Sequence, residues 1–281
     1  MSLQERIENL KKVQNNSKIS FILGPCVIES EEHSLKMAEA LKNLSIKLKF
    51  NFIFKSSFDK ANRTSLENYR GVGFEKSCKI FDKIREQFEV PVITDIHEPS
   101  QAPIVAEHVD VIQTPAFLCR QTDLLVAAGK TGKIVNLKKA QFVTPEAFEK
   151  ALKKVTSTGN ENIWICERGY IFGYGNLIVD YRNFPIMKSF DKPIVFDATH
   201  SVQRPSAKGC SSAGDRQFVP NLASAAVAQK IAAIFMEVHD NPDKALCDGP
   251  NSVKLSELED LLKYLIDLDY WVKSQPNSPV L

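Results

Sequence analysis

The chain has 281 residues, 43% hydrophobic and 25% charged, which is enough for one large domain or two small ones and excludes a disordered or fibrous chain. Thirty-six lysines and arginines against 34 aspartates and glutamates leave a formal net charge of +2, too little for a nucleic-acid or membrane footprint built on bulk electrostatics. Any bound anion must therefore be held by a local cluster. The longest apolar runs, such as residues 231–236, fall far short of the ~20 residues of a membrane span. The charged N-terminus has no apolar stretch followed by a cleavage site. The expectation is a cytoplasmic chain with neither membrane nor nucleic acid as a partner. Its six cysteines form no CxxC pair, as expected of reduced thiols.

Residues 1–18 precede the first strand signal and read as an N-terminal extension that closes the bottom or an edge of the domain. Eight β-branched or aromatic runs come next, at 19–23, 50–55, 90–95, 109–113, 134–138, 163–167, 193–197 and 233–238. Helical stretches separate them. The stretch 31–48 comes after Ser30, carries Glu31 and Glu32 in its first turn and places Leu35, Ala38 and Leu41 on one face. In 75–89, Cys78, Phe81, Ile84 and Phe88 share a stripe. Thr144-Pro145-Glu146 is an N-cap followed by proline in the first turn, with Phe148, Leu152 and Val155 at helical spacing. Strand and helix alternating eight times predict an α/β chain of the (β/α)8 TIM-barrel class, a single domain over 1–281. No GxGxxG or Walker fingerprint favours an open doubly wound sheet. The polar, Gly- and Ser-rich segment 201–220 is long enough to be a lid.

Active sites of such barrels lie at the carboxyl ends of the strands, where this sequence is strongly polar. Side chains alternate along a strand, so Lys55 shares a side with Ile53, Asp95 with Ile93, Gln113 with Val111, Lys138 with Asn136, and Arg168 with Cys166 and Trp164. Lys55, Lys60, Arg63, Arg120, Lys138 and Arg168 would then gather at one rim. Like charges so assembled repel unless an anion neutralises them, and phosphate and carboxylate groups are the natural guests. A second set is Cys26, His200, Glu237 and Asp248. Strands one and eight are neighbours in a closed barrel, and a thiolate, an imidazole and two carboxylates suit a divalent Mn, Fe, Zn or Co ion better than Ca²⁺.

The runs GPCVIES (24–30), KSSFDKANRTS (55–65), ITDIHEP (93–99), IQTPAFLCRQTDLL (112–125), VNLKKAQF (135–142), CERGYIFGYGNLIVDYR (166–182), FDATHSVQ (196–203) and CDGPNS (247–252) resemble the 3-deoxy-D-manno-octulosonate 8-phosphate synthases, in order and over nearly the whole chain. Related 3-deoxy-D-arabino-heptulosonate 7-phosphate synthases, which use erythrose 4-phosphate, typically carry KPRTS where this chain has Lys60-Ala61-Asn62-Arg63-Thr64-Ser65. The resemblance implies condensation of phosphoenolpyruvate with D-arabinose 5-phosphate on the route to lipopolysaccharide. It places Lys138 and Arg168 on the phosphoenolpyruvate phosphate, and Lys55, Lys60 and Gln113 around its carboxylate and reacting carbons. Asn62, Arg63 and Thr64 fall at the sugar phosphate, with Arg120 reaching in from a neighbouring subunit, and Asp95 at the sugar hydroxyls. Lys60 is the candidate proton donor, and His200 and Asp248 count among both the catalytic and the metal-binding groups. Cysteine at position 26 resembles the metal-dependent class, where the metal-independent class has asparagine. The resemblance also implies a homo-oligomer, usually a tetramer. The residues themselves leave open a Schiff-base aldolase using Lys55, Lys60 or Lys138, and a sugar-phosphate-binding barrel without turnover.

Overall fold

Parallel strands can be joined only by crossovers of a dozen or more residues, and this chain supplies a helix for nearly every one. The structure, a computed structural model, describes residues 1–63, 65–172, 175–208 and 211–276, without the side chains of 205–208 and 211–213. The barrel strands are β1 (Ser20–Gly24), β2 (Asn51–Lys55), β3 (Val92–Asp95), β4 (Val111–Thr114), β5 (Ile134–Lys138), β6 (Ile163–Glu167), β7 (Ile194–Asp197) and β8 (Ala233–His239). Each pairs in parallel with the next, and β8 returns to β1 with Gly24 opposite Glu237, which closes an eight-stranded (β/α)8 barrel.

The helices are α1 (Leu3–Lys11), α2 (Glu31–Leu48), α3 (Phe74–Phe88), α4 (Gln101–His108), α5 (Thr122–Lys130), α6 (Pro145–Thr156), α7 (Asn183–Lys188), α8 (Val219–Val227) and α9 (Leu255–Ser274). No helix among the described residues is long and apolar enough to cross a membrane. Ser30 and Thr144 cap α2 and α6 as the sequence implies, their hydroxyls accepting from the His33 and Ala147 amides. Strands β3 and β4 start two residues later than the expected 90 and 109. Val109 is the C-cap of α4, and Asp110 is a connector whose carboxylate accepts from the Val92 amide and from Arg85. The segment 201–220, expected from its length and composition to be a lid, contains regular structure. It holds an antiparallel hairpin, Gln203–Lys208 with Ser211–Gly214, and α8 already begins at residue 219.

Strand alternation produces two apolar layers. Outward side chains meet the helices, burying Phe81 and Ile84 of α3 and Phe148, Leu152 and Val155 of α6. Inward side chains, among them Ile53, Ile93, Val111, Trp164, Cys166 and Phe235, fill the barrel, and Leu10 and Val13 join them in one cluster. The N-terminal extension thus seals the barrel interior. Gly24, at the top of β1, is required by close approach: a Cβ there would stand 2.0 Å from the Lys55 carbonyl oxygen.

Leu10 is 2% exposed, so Leu10→Ala should lower unfolding free energy by about 2–5 kcal/mol while leaving the opposite end of the barrel unchanged. Urea titration followed by tryptophan fluorescence measures this. A loss well below that range would mean that the seal contributes little.

Candidate active site

At the carboxyl ends of the strands lies a cavity of about 900 Å³ lined by Lys55, Lys60, Asn62, Arg63, Asp95, Gln113, Lys138, Arg168, His200 and Asp248. Strand parity accounts for most of these. Lys55, Asp95, Gln113 and Arg168 each stand two residues beyond an inward apolar side chain, and Lys138 stands two beyond the inward Asn136. Below them lies the Phe235 ring, 4.0 Å from Lys138 Nζ and 5.4 Å from Lys55 Nζ. Arg120 is exposed and does not line this cavity. Thr64 lies outside the described residues.

The charges are arranged more economically than repulsion around an anion requires. Lys55 is 1% exposed, with Nζ 2.7 Å from Glu237 Oε1 and 2.8 Å from the Cys26 carbonyl. Burial opposes its charge, and Glu237 restores it and raises its pKa. Lys138 pairs with Asp197 Oδ2 at 2.5 Å. Two of the expected anion-binding lysines are therefore already neutralised by the protein. Lys60, Arg63 and Arg168 are not. Among the described residues their hydrogen-bond partners are uncharged: Ser57 Oγ for Lys60, Cys247 Sγ and the Leu246 carbonyl for Arg63, and the His200 carbonyl and Gln203 Oε1 for Arg168. The Nε atoms of Arg63 and Arg168 are buried without any acceptor among the described residues.

Asp95 is fixed from two sides, by the Ser57 hydroxyl at 2.5 Å and His97 Nε2 at 3.1 Å. Burial alone would raise its pKa, but His97, Lys60 and Lys55 hold it well below the usual carboxylate value. Burial likewise opposes the charge of Lys60. The surrounding Cys26, Cys247, Glu237 and Asp95 outweigh it and raise the Lys60 pKa. Burial pulls the Arg168 guanidinium down from its usual value, and a guanidinium stays protonated in proteins.

The four expected metal ligands come together. His200, Glu237 and Asp248 form one group whose donor atoms lie within 4.8 Å of one another, and Cys26, Cys247 and Asp248 form a second that shares Asp248. His200 Nε2 stands 3.7 Å from Glu237 Oε1 and 3.8 Å from Asp248 Oδ2, and Cys26 Sγ is 3.4 Å from Asp248 Oδ2. Asp197 takes the other ring nitrogen of His200 at 2.8 Å, the outer carboxylate typical of a ligating histidine. Glu237 Oε2 is buried with no hydrogen-bond partner among the described residues. An orphaned carboxylate oxygen beside an imidazole, a thiol and a second carboxylate fits a divalent cation. Without the ion's own charge, burial, with Cys247 and Glu237, pushes the Cys26 thiol well up, and Lys55, His200 and Lys60 hold Glu237 down to about 2 against its burial.

Several residues at the site escaped sequence reasoning. Cys247 carried a signal, standing next to Asp248 in CDGPNS. Asp197 and His97 stand at strand ends whose polarity was evident, yet only contacts reveal that they hold His200 and Asp95. Ser57 and Gln203 had no distinguishing signal. A third group, Glu29, His33 and His239, lies outside the cavity lining and is tied together by Asp240, which contacts both imidazoles.

The DAHP synthetase I family model matches residues 5–274. Among curated proteins, the 2-dehydro-3-deoxyphosphooctonate aldolase of Bartonella henselae is 51% identical over 92% of this chain and 93% of its own length. The proteins of the same name from Cyanothece sp. and Trichlorobacter lovleyi are each 53% identical, over 90% and 93% of this chain and 93% and 96% of theirs. By this coverage and identity the chain belongs to the DAHP synthetase I family, with 2-dehydro-3-deoxyphosphooctonate aldolases among its curated relatives.

Proposed function

We propose that this chain condenses phosphoenolpyruvate with D-arabinose 5-phosphate and water, releasing 3-deoxy-D-manno-octulosonate 8-phosphate and inorganic phosphate for lipopolysaccharide synthesis. The observation that carries this reading is the pair Arg63 and Arg168, two guanidinium groups facing one cavity, each with a buried Nε that has no acceptor among the described residues and neither with a carboxylate partner among them. Two substrates that each end in a phosphate match them. The curated relatives are named for the same eight-carbon acid phosphate, written in the cleavage direction.

In this reading Arg168 and Lys138 hold the phosphoenolpyruvate phosphate, and Lys55 and Gln113 lie near its carboxylate. Asn62 and Arg63 take the sugar phosphate, the Thr64 hydroxyl joins them by resemblance, and Asp95 accepts from sugar hydroxyls. The π electrons of the enol form the new bond from C3 to the sugar aldehyde carbon. Lys60, kept protonated by its anionic surroundings, supplies the proton to the aldehyde oxygen. Water bonds to C2 and loses a proton, and collapse of that centre breaks the C–O bond to phosphate and leaves the ketone. Cys26, His200, Glu237 and Asp248 would hold a divalent Mn, Fe, Zn or Co ion. When bound, that ion supplies Lewis-acid polarisation of an oxygen. Asp197 fixes the His200 ring, so Nε2 is the nitrogen left to the metal.

On the same reading the chain is cytoplasmic, a single-domain homo-oligomer and by resemblance a tetramer. Arg120 is exposed, and the rim near the cavity carries Phe117 and Phe142, each more than half exposed. A second copy that covers those rings and brings Arg120 to a neighbour's sugar phosphate accounts for both. Light scattering should report an oligomer, and Arg120→Ala should raise the KM for the sugar phosphate. A fully active monomer would overturn that part.

Phosphate release from phosphoenolpyruvate should require arabinose 5-phosphate and be far slower with erythrose 4-phosphate. No release with either would sink the reading, and borohydride trapping of a lysine would replace it with the Schiff-base mechanism. Release should vanish after chelation and return with Mn²⁺ or Zn²⁺; survival after verified metal removal would make Cys26 structural. Arg168→Ala should raise the phosphoenolpyruvate KM and Arg63→Ala that of the sugar phosphate, each by about 10²-fold for a lost charge-assisted contact of ~3 kcal/mol. Equal effects on both substrates would refute the division of roles.

A further inference from the structure

Behind Lys138 and Arg168 lies a second pair of charges that no step of the reaction uses. Residues next to each other on a strand point to opposite sides, so Lys139 and Glu167 face away from the cavity, toward the helices. Both are fully buried, with Lys139 Nζ 3.4 Å from Glu167 Oε1. Lys139 also lies 3.7 Å over the Tyr170 ring and donates to the Ala140 and Val143 carbonyls, each at 3.3 Å. Burial lowers its pKa and Glu167 opposes that shift.

The carboxylate of Glu167 folds back over the turn after its own strand. Its Oε1 accepts from the Arg168 amide at 2.8 Å and the Gly169 amide at 2.6 Å, and its Oε2 accepts from Asn183 Nδ2 at 2.7 Å. Gly169 sits at φ 87, where a side chain would be strained, and a Cβ there would meet the Ile178 carbonyl at 3.1 Å. This turn decides where the Arg168 side chain enters the cavity. An ionised carboxylate makes stronger bonds to amides than a neutral acceptor, and a buried one keeps its charge only beside a cation.

We propose that Lys139 and Glu167 are positioning residues for phosphoenolpyruvate: the buried pair clamps the Arg168–Gly169 turn and so aims Arg168 at the substrate phosphate. The inference rests on the reading that Arg168 holds that phosphate. Neither residue touches substrate. The arrangement gives the doublet Lys138-Lys139 two separate tasks, one facing the ligand and one facing the backbone that carries its partner.

Binding of phosphoenolpyruvate alone, measured by calorimetry on the metal-loaded wild type and on Lys139→Met, Glu167→Gln and the double variant, tests this apart from turnover. Lys139→Met strands a buried carboxylate and should weaken phosphoenolpyruvate binding by about tenfold. The KM for arabinose 5-phosphate should stay within about twofold, which a general loosening of the fold would not allow. The double variant carries neither charge, and glutamine can still accept from the two amides, so it should recover most of the loss. Should Lys139→Met fail to fold, Glu167→Gln against the double variant gives the same comparison. Wild-type affinity in every folded variant, or equal losses for both substrates, would overturn the proposal. A wild type that binds no phosphoenolpyruvate would instead overturn the functional reading beneath it.

Discussion

A lysine and a glutamate with almost no exposed surface hold the top of this barrel together. Taking both charges out of water costs several kcal/mol per ion, repaid only by close contact and further hydrogen bonds. Lys55 and Glu237 meet that condition, 2.7 Å apart, with the Cys26 carbonyl accepting a second bond from the ammonium. The pair spans β2 and β8 across the intervening β1. It thereby fixes, in one contact, the loop that presents Cys26 and the carboxylate that faces His200. Loss of either partner would strand the other charge in the barrel mouth.

The same economy governs the rest of the ring. Asp197 pairs with Lys138 through the oxygen that also takes His200 Nδ1, so one carboxylate both pairs with a cavity lysine and orients the His200 imidazole. Repulsion among the gathered cations is thus largely relieved by the protein itself. The capacity left for ligands is selective. Among the described residues Arg63, Arg168 and Lys60 make no ion pair, and guanidinium is the cation whose planar fork suits phosphate and stays charged when buried.

Much of this was legible in the sequence because a barrel strand has a period of two and a fixed top and bottom. Once eight strands were recognised, Ile53 implied an inward Lys55, Val111 an inward Gln113, and Cys166 an inward Arg168. Closure brought Cys26 beside Glu237. Pairing lay beyond the reach of the period. Nothing in FDATH distinguishes an aspartate that binds ligand from one that clamps a histidine, and Cys247 counts as a donor only once Asp248, at φ 48, is seen to bring its loop over Cys26. The expected loop at 201–220 proved partly a hairpin because Ser- and Gly-rich composition marks turns without excluding short strands.

Alternation also explains why a run such as VNLKKAQF misleads when its residues are counted rather than placed. Lys138 and Lys139 are chemically identical neighbours, yet the pleat sends one toward the cavity and Asp197 and the other toward Glu167 and Tyr170. Glu167 and Arg168 on the adjoining strand divide in the same way. Lys138 and Arg168 are therefore each backed, one residue away, by an outward charge that is satisfied in the layer between strands and helices. At Arg168 the outward Glu167 carboxylate accepts from the amides of Arg168 and Gly169, the backbone from which the guanidinium side chain departs.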